Sequence, residues 1–445
     1  NANAIPWLDK GAFIDEINVT PGEFKISPLE IPEVLPQQLL MLKAVSGALK
    51  NMTGTQCSHL KWGTFMGISQ DFEASNFASR WAIDNRDEKE LCDGITPPLN
   101  NARTVGALGG IVASRIAREY SIGGPSHTFS SGENSGLSAL EAATRALQRG
   151  EIDTAVVGAV DFAGDLRNML ASDKLRPYTR KNSSIPFDTD SDGAFPGEGA
   201  TAVILKRKED AIKDGDKIYA IIKGIGKASS DNFENSASSE KAYLKAITEA
   251  WKESGFSPEN AGLMETNGSA FPAEDRIEAK VLAQFMPKRQ DDKESTFKNN
   301  DQLCALSSTK MVTGHTGAAA GLLSLVKAAI CLHQQILPAY KTLKSPISEL
   351  NDRRDAFFTP NEPQFWLRNK INGSRTAGVS SISIDGSVYH AVLEGFEKDD
   401  ELTVEARKST EISRQFPIGE PDDAIFIVGG SSPCDLRERV AALVN

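Results

Sequence analysis

Apolar positions along the chain recur with two different periods. Lys61 to Ile68, Asp153 to Val160, Gly199 to Leu205 and Lys217 to Ile225 are short, nearly continuous apolar blocks, which predicts buried strands. Between them the spacing turns helical. Thr104 to Tyr120 reads as one helix stopped before Gly123-Gly124-Pro125, and Leu137, Leu140, Thr144 and Leu147 mark another that ends at Gly150. A second series follows, with a helix over Ser239 to Ser254, a strand over Ala261 to Thr266 and a helix over Glu274 to Phe285. Cys304 to Ser308 is a strand leading into the apolar run from Gly314 to Pro338, and Thr376 to Ile384 with Val388 to Glu394 reads as a closing hairpin.

This alternation predicts α/β layering. Each half has strands, a long buried helix and a strand pair, which points to an internal structural duplication. The expected units are residues 1–215, residues 216–396, and a linker with a small strand–helix appendage over 397–445. Pro287 to Gln302 is polar and aperiodic and reads as a surface insertion.

Composition narrows the picture. A chain of 445 residues with 40% hydrophobic and 24% charged residues is an ordinary globular protein with a large core. The net charge of −11 argues against broad nucleic-acid or anionic-membrane binding. The 5 cysteines form no CxxC pair, which suits a reducing cytoplasm better than a disulfide framework or zinc site. The Gly314 to Pro338 run carries His315, Lys327 and His333, so it reads as a core helix rather than a membrane span. Asp188, Asp190 and Asp192 imitate a calcium loop, but Gly199 stands where the bidentate twelfth ligand belongs, so no metal is expected.

The most informative stretch is Pro125 to Leu137, a strand, a tight turn and a helix start. That layout holds a nucleophile at a helix N-terminus, and here it holds Glu133. Ser135 is a weak alternative, because Gly132-Glu133-Asn134-Ser135-Gly136 is not a Gly-x-Ser-x-Gly elbow. Glu133 is either a mechanistic group or a helix-terminal acid favoured by the macrodipole by about 0.3–1 kcal/mol. His315 is either an oxyanion donor or a satisfied core histidine, and Lys310 reads more simply as part of an ion pair.

Four further motifs agree in order and spacing: Ile26-Ser27-Pro28-Leu29-Glu30 with Leu35-Pro36-Gln37-Gln38-Leu39-Leu40; Pro186 to Gly193 with Gly197-Glu198-Gly199; Lys310 with Gly314-His315-Thr316 and Ala318 to Gly321; and Val379-Ser380-Ser381 with Gly386. With them the chain resembles a β-ketoacyl synthase of the thiolase fold over residues 10–396. The resemblance implies two duplicated α/β halves in a layered αβαβα core, and obligate dimerisation. It also implies a family first strand before Ala12, which this sequence starts too late to contain. In that family a cysteine takes the acyl chain and two histidines stabilise the enolate formed on decarboxylation.

The resemblance places the cysteine position at Glu133 and the first histidine at Asn267, and it retains His315 and Lys310. The closing Gly-Phe-Gly-Gly becomes Ser383-Ile384-Asp385-Gly386, with Ile384 in the seat of an aromatic gate. Loss of the thiol makes the chain similar to the chain-length-factor subgroup, and the wording of its first helix resembles multidomain polyunsaturated fatty acid synthases. The implied partners are an active ketosynthase, in a pseudo-symmetric heterodimer, and acyl carrier protein. Residues 84–105 are the expected part of that interface. The implied substrate carrier is a phosphopantetheine arm, with no cofactor bound directly.

Two other roles stay open at the level of sequence. One is a malonyl-carrier-protein decarboxylase for priming, with Asn267 and His315 as donors to the enolate oxygen. An ionised Glu133 opposes it, because two anions about 4 Å apart at a dielectric near 20 repel by roughly 4 kcal/mol. Protonation of a buried Glu133 would lift that objection. The other role is a purely structural scaffold for the partner.

Overall fold

The computed structural model describes residues 10–52, 58–69, 100–162, 166–230, 240–287, 303–367 and 373–396, with isolated residues between 407 and 441. Residues 288–302 of the expected insertion, the linker after 396, most of the C-terminal appendage, residues 84–99 of the expected interface and the segment before Lys10 lie outside the described residues.

Helix α1 (Pro36–Lys50) starts with proline at its first position, where a missing N–H costs nothing. Strand β1 (Trp62–Ile68) is buried throughout. The expected helix over 104–120 is two: α2 (Asn101–Gly106), capped by the Asn100 side chain, and α3 (Ile111–Glu119). They part at Gly109-Gly110, where glycine carries the largest helix penalty among residues other than proline. Strand β2 (Ser126–Phe129) leads to α4 (Ser135–Gln148), followed by β3 (Thr154–Asp161), α5 (Leu166–Leu175), β4 (Gly199–Lys206) and α6 (Lys208–Asp214).

Strand β5 (Ile221–Ser229) begins four residues later than the apolar block predicts, because its register is set by pairing with β12 (Ser387–Glu394), from Ile221 opposite Glu394 to Ser229 opposite Ser387. Between them in sequence come α7 (Glu240–Ser254), β6 (Ala261–Glu265), α8 (Pro272–Phe285), β7 (Cys304–Ser307), α9 (Lys310–Thr313), α10 (Ala320–Gln334), β8 (Ile336–Leu337), α11 (Ser348–Asn351), β9 (Phe357–Phe358), β10 (Gln364–Phe365) and β11 (Thr376–Ile382). The closing hairpin is β11 and β12, and its first strand stops two residues short of Ile384.

Ten of the strands form two mixed sheets, β2-β1-β3-β4 and β5-β12-β11-β6-β7-β9, and β8 pairs with β10 in a separate antiparallel ribbon. In the first, β2, β1 and β3 are parallel and β4 is antiparallel; in the second, β7, β6 and β11 are parallel and β12 is antiparallel. The open edge of β12 is covered by β5. The matching edge of β4 has no strand among the described residues, and a groove of about 560 Å³ runs beside it between α1, α4 and α10.

Helices α4 and α10 pack between the sheets, with Leu137, Leu140, Leu322 and Leu325 meeting Val157, Leu263 and Val379 in one apolar cluster. Helices α1 and α3 cover the outer face of the first sheet, and α7 and α8 cover the outer face of the second. The result is the thiolase-like αβαβα layering. The 317–334 segment is long and apolar enough to cross a membrane by composition, and 61% of it is buried in this body. It is not enclosed on every side, since Ile330 is exposed.

Candidate active site

The turn between β2 and α4 is built by short polar side chains. Gly132 adopts φ 50°, a left-handed conformation that glycine enters without penalty. Ser135 Oγ donates to the Gly132 carbonyl at 2.6 Å and accepts from the Ser131 N–H at 2.9 Å. It is a fully buried brace for the turn, which removes it as a nucleophile. Asn134 Nδ2 donates to the Ser387 carbonyl and Oγ, tying the turn to the closing hairpin.

Glu133 therefore projects from a fixed turn two residues ahead of the helix, outside its first turn. Its carboxylate does not cap α4; both oxygens are engaged elsewhere. Oε1 lies 2.6 Å from Arg176 Nη1 and 3.4 Å from His315 Nε2. Oε2 accepts from Ser383 Oγ at 2.8 Å and from the Ile384 N–H at 3.0 Å. Burial alone raises its pKa, but the Arg176 charge and the bonds from His315 and Ile384 outweigh that, and the carboxyl is held well below its usual range. Glu133 is ionised at neutral pH.

Arg176, at the end of α5, is the residue that sequence reasoning missed. It is 8% exposed, and its Nε donates to Glu274 Oε1 at 2.9 Å. Nη2 is 2.9 Å from the same oxygen, at an angle short of a hydrogen bond. Glu274 sits in the first turn of α8, where an acid reads as a routine dipole partner, so its sequence signal was masked. Arg176 carried no local signal, because both of its partners are distant in sequence.

His315 Nδ1 accepts from the Gly317 N–H at 3.2 Å, which leaves the proton of the neutral ring on Nε2, facing Glu133. Burial holds its pKa below the usual histidine value, against the Glu133 hydrogen bond. Gly317 comes close to Asp161, whose carboxyl burial pushes up to about 6 and which accepts from the Ala318 N–H.

A second group adjoins the first. Asn267 Oδ1 accepts from Lys310 Nζ at 2.7 Å and from the Ile382 N–H at 3.1 Å, while its Nδ2 is buried without a partner. Lys310 Nζ also donates to the Asn267 carbonyl at 2.8 Å, so its direct contacts are amide oxygens and not the ion pair expected. Burial lowers its pKa to about 8, and the Arg176 charge adds to the shift. Glu278 accepts from the Asn267 and Gly268 N–H groups and from Tyr243 Oη, holding the turn in place.

The closing loop divides. Ser383 and the Ile384 backbone join the site, and the Ile384 side chain lines a cavity of about 180 Å³ with Glu133, Asp161, Arg176, Tyr178 and His315. Asp385 does not join them: it is exposed and accepts from the Ser387 N–H, as a turn residue. The aspartates of the 188–192 loop are turn residues too. Asp188 accepts from the N–H groups of Asp190, Lys344 and Ser345, and Asp192 from Thr179 and Arg180.

Comparison with known proteins agrees with this layout. Residues 7–211 match the model of the β-ketoacyl synthase N-terminal domain, and residues 219–344 that of the C-terminal domain. A mycocerosic acid synthase-like polyketide synthase of Mycobacterium tuberculosis is 29% identical over 388 residues, covering 86% of this chain and 17% of that protein. The phthioceranic/hydroxyphthioceranic acid synthase of Mycobacterium bovis is 28% identical over 446 residues, covering 98% of this chain and 19% of that protein. The chain thus spans less than a fifth of the length of these relatives. Among solved structures, the ketosynthase from module 6 of the Bacillus subtilis bacillaene synthase superposes with a TM-score of 0.72 at 24% identity, covering 86% of this chain and 64% of that one. The module 1 ketosynthase of the Bacillus amyloliquefaciens bacillaene synthase gives a TM-score of 0.69 at 26% identity, covering 84% and 64%. The first domain model spans all four strands of the first sheet and the second spans β5, β6 and β7 of the other, and the chain belongs to the β-ketoacyl synthase family, with homology to polyketide synthases.

Proposed function

We propose that this chain is a ketosynthase-family subunit that does not condense acyl groups. It acts as a chain-length-factor-type partner of an active ketosynthase in polyunsaturated fatty acid or polyketide synthesis. One observation carries the reading. At the position that the family resemblance gives to the nucleophile stands a buried carboxylate with both oxygens engaged, by Arg176 and His315 on one and by Ser383 and Ile384 on the other. Attack by it on a thioester would have to break those contacts and would yield a labile mixed anhydride.

The acyl chain would ride on the phosphopantetheine arm of acyl carrier protein and be extended by the partner. Strand β2 is the outermost strand of its sheet among the described residues, with Ser126 and His127 exposed. An open strand edge on the strand that leads into the Glu133 turn is a natural place for a second ketosynthase fold to continue the sheet. The test is reconstitution with an active ketosynthase and acyl carrier protein, while bulky residues along the shared interface are truncated one at a time. A shifted product-length distribution is the expected result. An unchanged distribution with the complex intact leaves only the scaffold role.

A decarboxylase has one observation in its favour, the unpaired Asn267 Nδ2. Electrostatics oppose it. The buried Glu133 carboxylate is held in its ionised form and lines the cavity, so it repels a malonyl carboxylate entering there. Carbon dioxide release from malonyl-carrier protein by the unmodified chain would overturn this ranking.

A further inference from the structure

We propose that Glu133 is the built-in ligand of a carboxylate-binding site, and that the hole it fills takes small monocarboxylates such as acetate once that side chain is removed. The inference concerns the pocket itself and holds whether or not the chain pairs with a ketosynthase.

Three hydrogen-bond donors and the His315 ring, from three separate segments, converge on one carboxylate, with Arg176 and the ring at one oxygen and Ser383 and Ile384 at the other. Arg176 comes from the end of α5, His315 from the loop between α9 and α10, and Ser383 with Ile384 from the closing hairpin. A surface-derived acid that had merely been buried would meet whatever donors lay nearby. Here guanidinium, imidazole, hydroxyl and backbone N–H are arranged as anion-binding groups are elsewhere in proteins.

The arrangement does not depend on Glu133 for its shape. Glu274 grips Arg176 from the other side, the Gly317 N–H fixes the His315 ring, and the Asn134 side chain pins the hairpin at Ser387. Removing the Glu133 side chain therefore leaves the donors in place, with Arg176 still held by Glu274 and the Ile384 N–H without its acceptor. Their neighbour is the cavity of about 180 Å³, large enough for acetate with water. In the intact chain the tethered carboxylate competes at a high effective concentration, which keeps external anions out.

The experiment uses the full chain and its Glu133→Ala form, titrated with sodium acetate against sodium chloride at equal ionic strength. Thermal unfolding and the line width of 13C-acetate are the readouts. The expected result is a saturable rise in Tm and acetate broadening in Glu133→Ala, neither of which occurs in the intact chain or in the isosteric Glu133→Gln. Adding Arg176→Gln to Glu133→Ala should weaken acetate binding at least tenfold. Equal acetate responses in the intact and Ala forms overturn the proposal, and so does an Ala form that ignores acetate. If Glu133→Ala does not fold alone, refolding yield is read instead. Recovery with acetate but not chloride supports the built-in ligand, and no recovery with either counts against it.

Discussion

Arg176 Nη1 stands 2.6 Å from Glu133 Oε1 while its Nε stands 2.9 Å from Glu274 Oε1, so one buried guanidinium serves two buried carboxylates. Removing the cation and removing one anion should then have unequal effects. Arg176→Met strands two carboxylates away from water and should destabilise the chain by about 3–5 kcal/mol. Glu133→Gln keeps the shape and leaves Arg176 paired with Glu274, so its cost should be smaller, about 1–2 kcal/mol. Urea unfolding of the two variants side by side checks the order; equal losses would mean that the triad does not act as a unit.

The pH dependence of stability should have two opposing parts. Glu133, held well below its usual range, contributes stability that is full above its unfolded pKa and is lost as pH falls through the lower folded value. Asp161 and Asp275 behave in the opposite sense. Burial raises them to about 6 and about 7, so the folded state binds their protons more tightly than the unfolded state does. Between the ordinary aspartate pKa and those values stability falls as pH rises. Asp275 also accepts from the Phe187 N–H, so the replacement must keep an acceptor there. Asp275→Asn should flatten the stability profile up to about pH 7 relative to the parent. A profile with unchanged slope would show that this carboxyl is ionised throughout.

Gly132 should not tolerate a side chain. Its φ of 50° already disfavours L-residues, and an added Cβ would clash with Ser383 Oγ. Gly132→Ala should cost about 1–2 kcal/mol from backbone conformation alone. It should also push Ser383 off Glu133. Hydrogen exchange at Ile384, whose N–H is bonded to Glu133, reports the displacement directly. Slow exchange in the variant would mean that the hairpin absorbs the clash without releasing the carboxylate.

The layers of this fold were legible because they rest on local pattern. The apolar blocks at β1, β3 and β4 and the helical spacing of Leu137 to Leu147 each specify one element within a residue or two. The break at Gly109-Gly110 and the later start of β5 were not read, since one depends on two glycines inside an apolar stretch and the other on a partner strand more than 150 residues away. At the site, Glu133, Asn267, His315, Lys310, Ser383 and Ile384 come together in two adjoining groups, and Asp385 faces outward. Arg176 escaped because its ion pairs span 43 and 98 residues, a separation that no periodicity records.

Replacing Glu133 by cysteine separates the acyl-loading half of ketosynthase chemistry from the condensing half. The thiol would sit at the same turn ahead of α4, beside the Arg176 guanidinium and the His315 ring, and a nearby cation lowers a thiol pKa. With the carboxylate gone, the Ile384 N–H and Ser383 hydroxyl become free to hold a thioester oxygen. Glu133→Cys should therefore acquire an acyl adduct from acyl thioesters, read as a mass increase that hydroxylamine removes, where the intact chain shows none. Condensation with malonyl-carrier protein should still fail, because the Asn267 side-chain oxygen accepts from Lys310 and Ile382 and no second imidazole stands there. Condensation by the single variant would show that Asn267 does not limit the chemistry. If no adduct forms, the turn does not present a nucleophile to thioesters, and the substitution at position 133 is not what decides acyl loading.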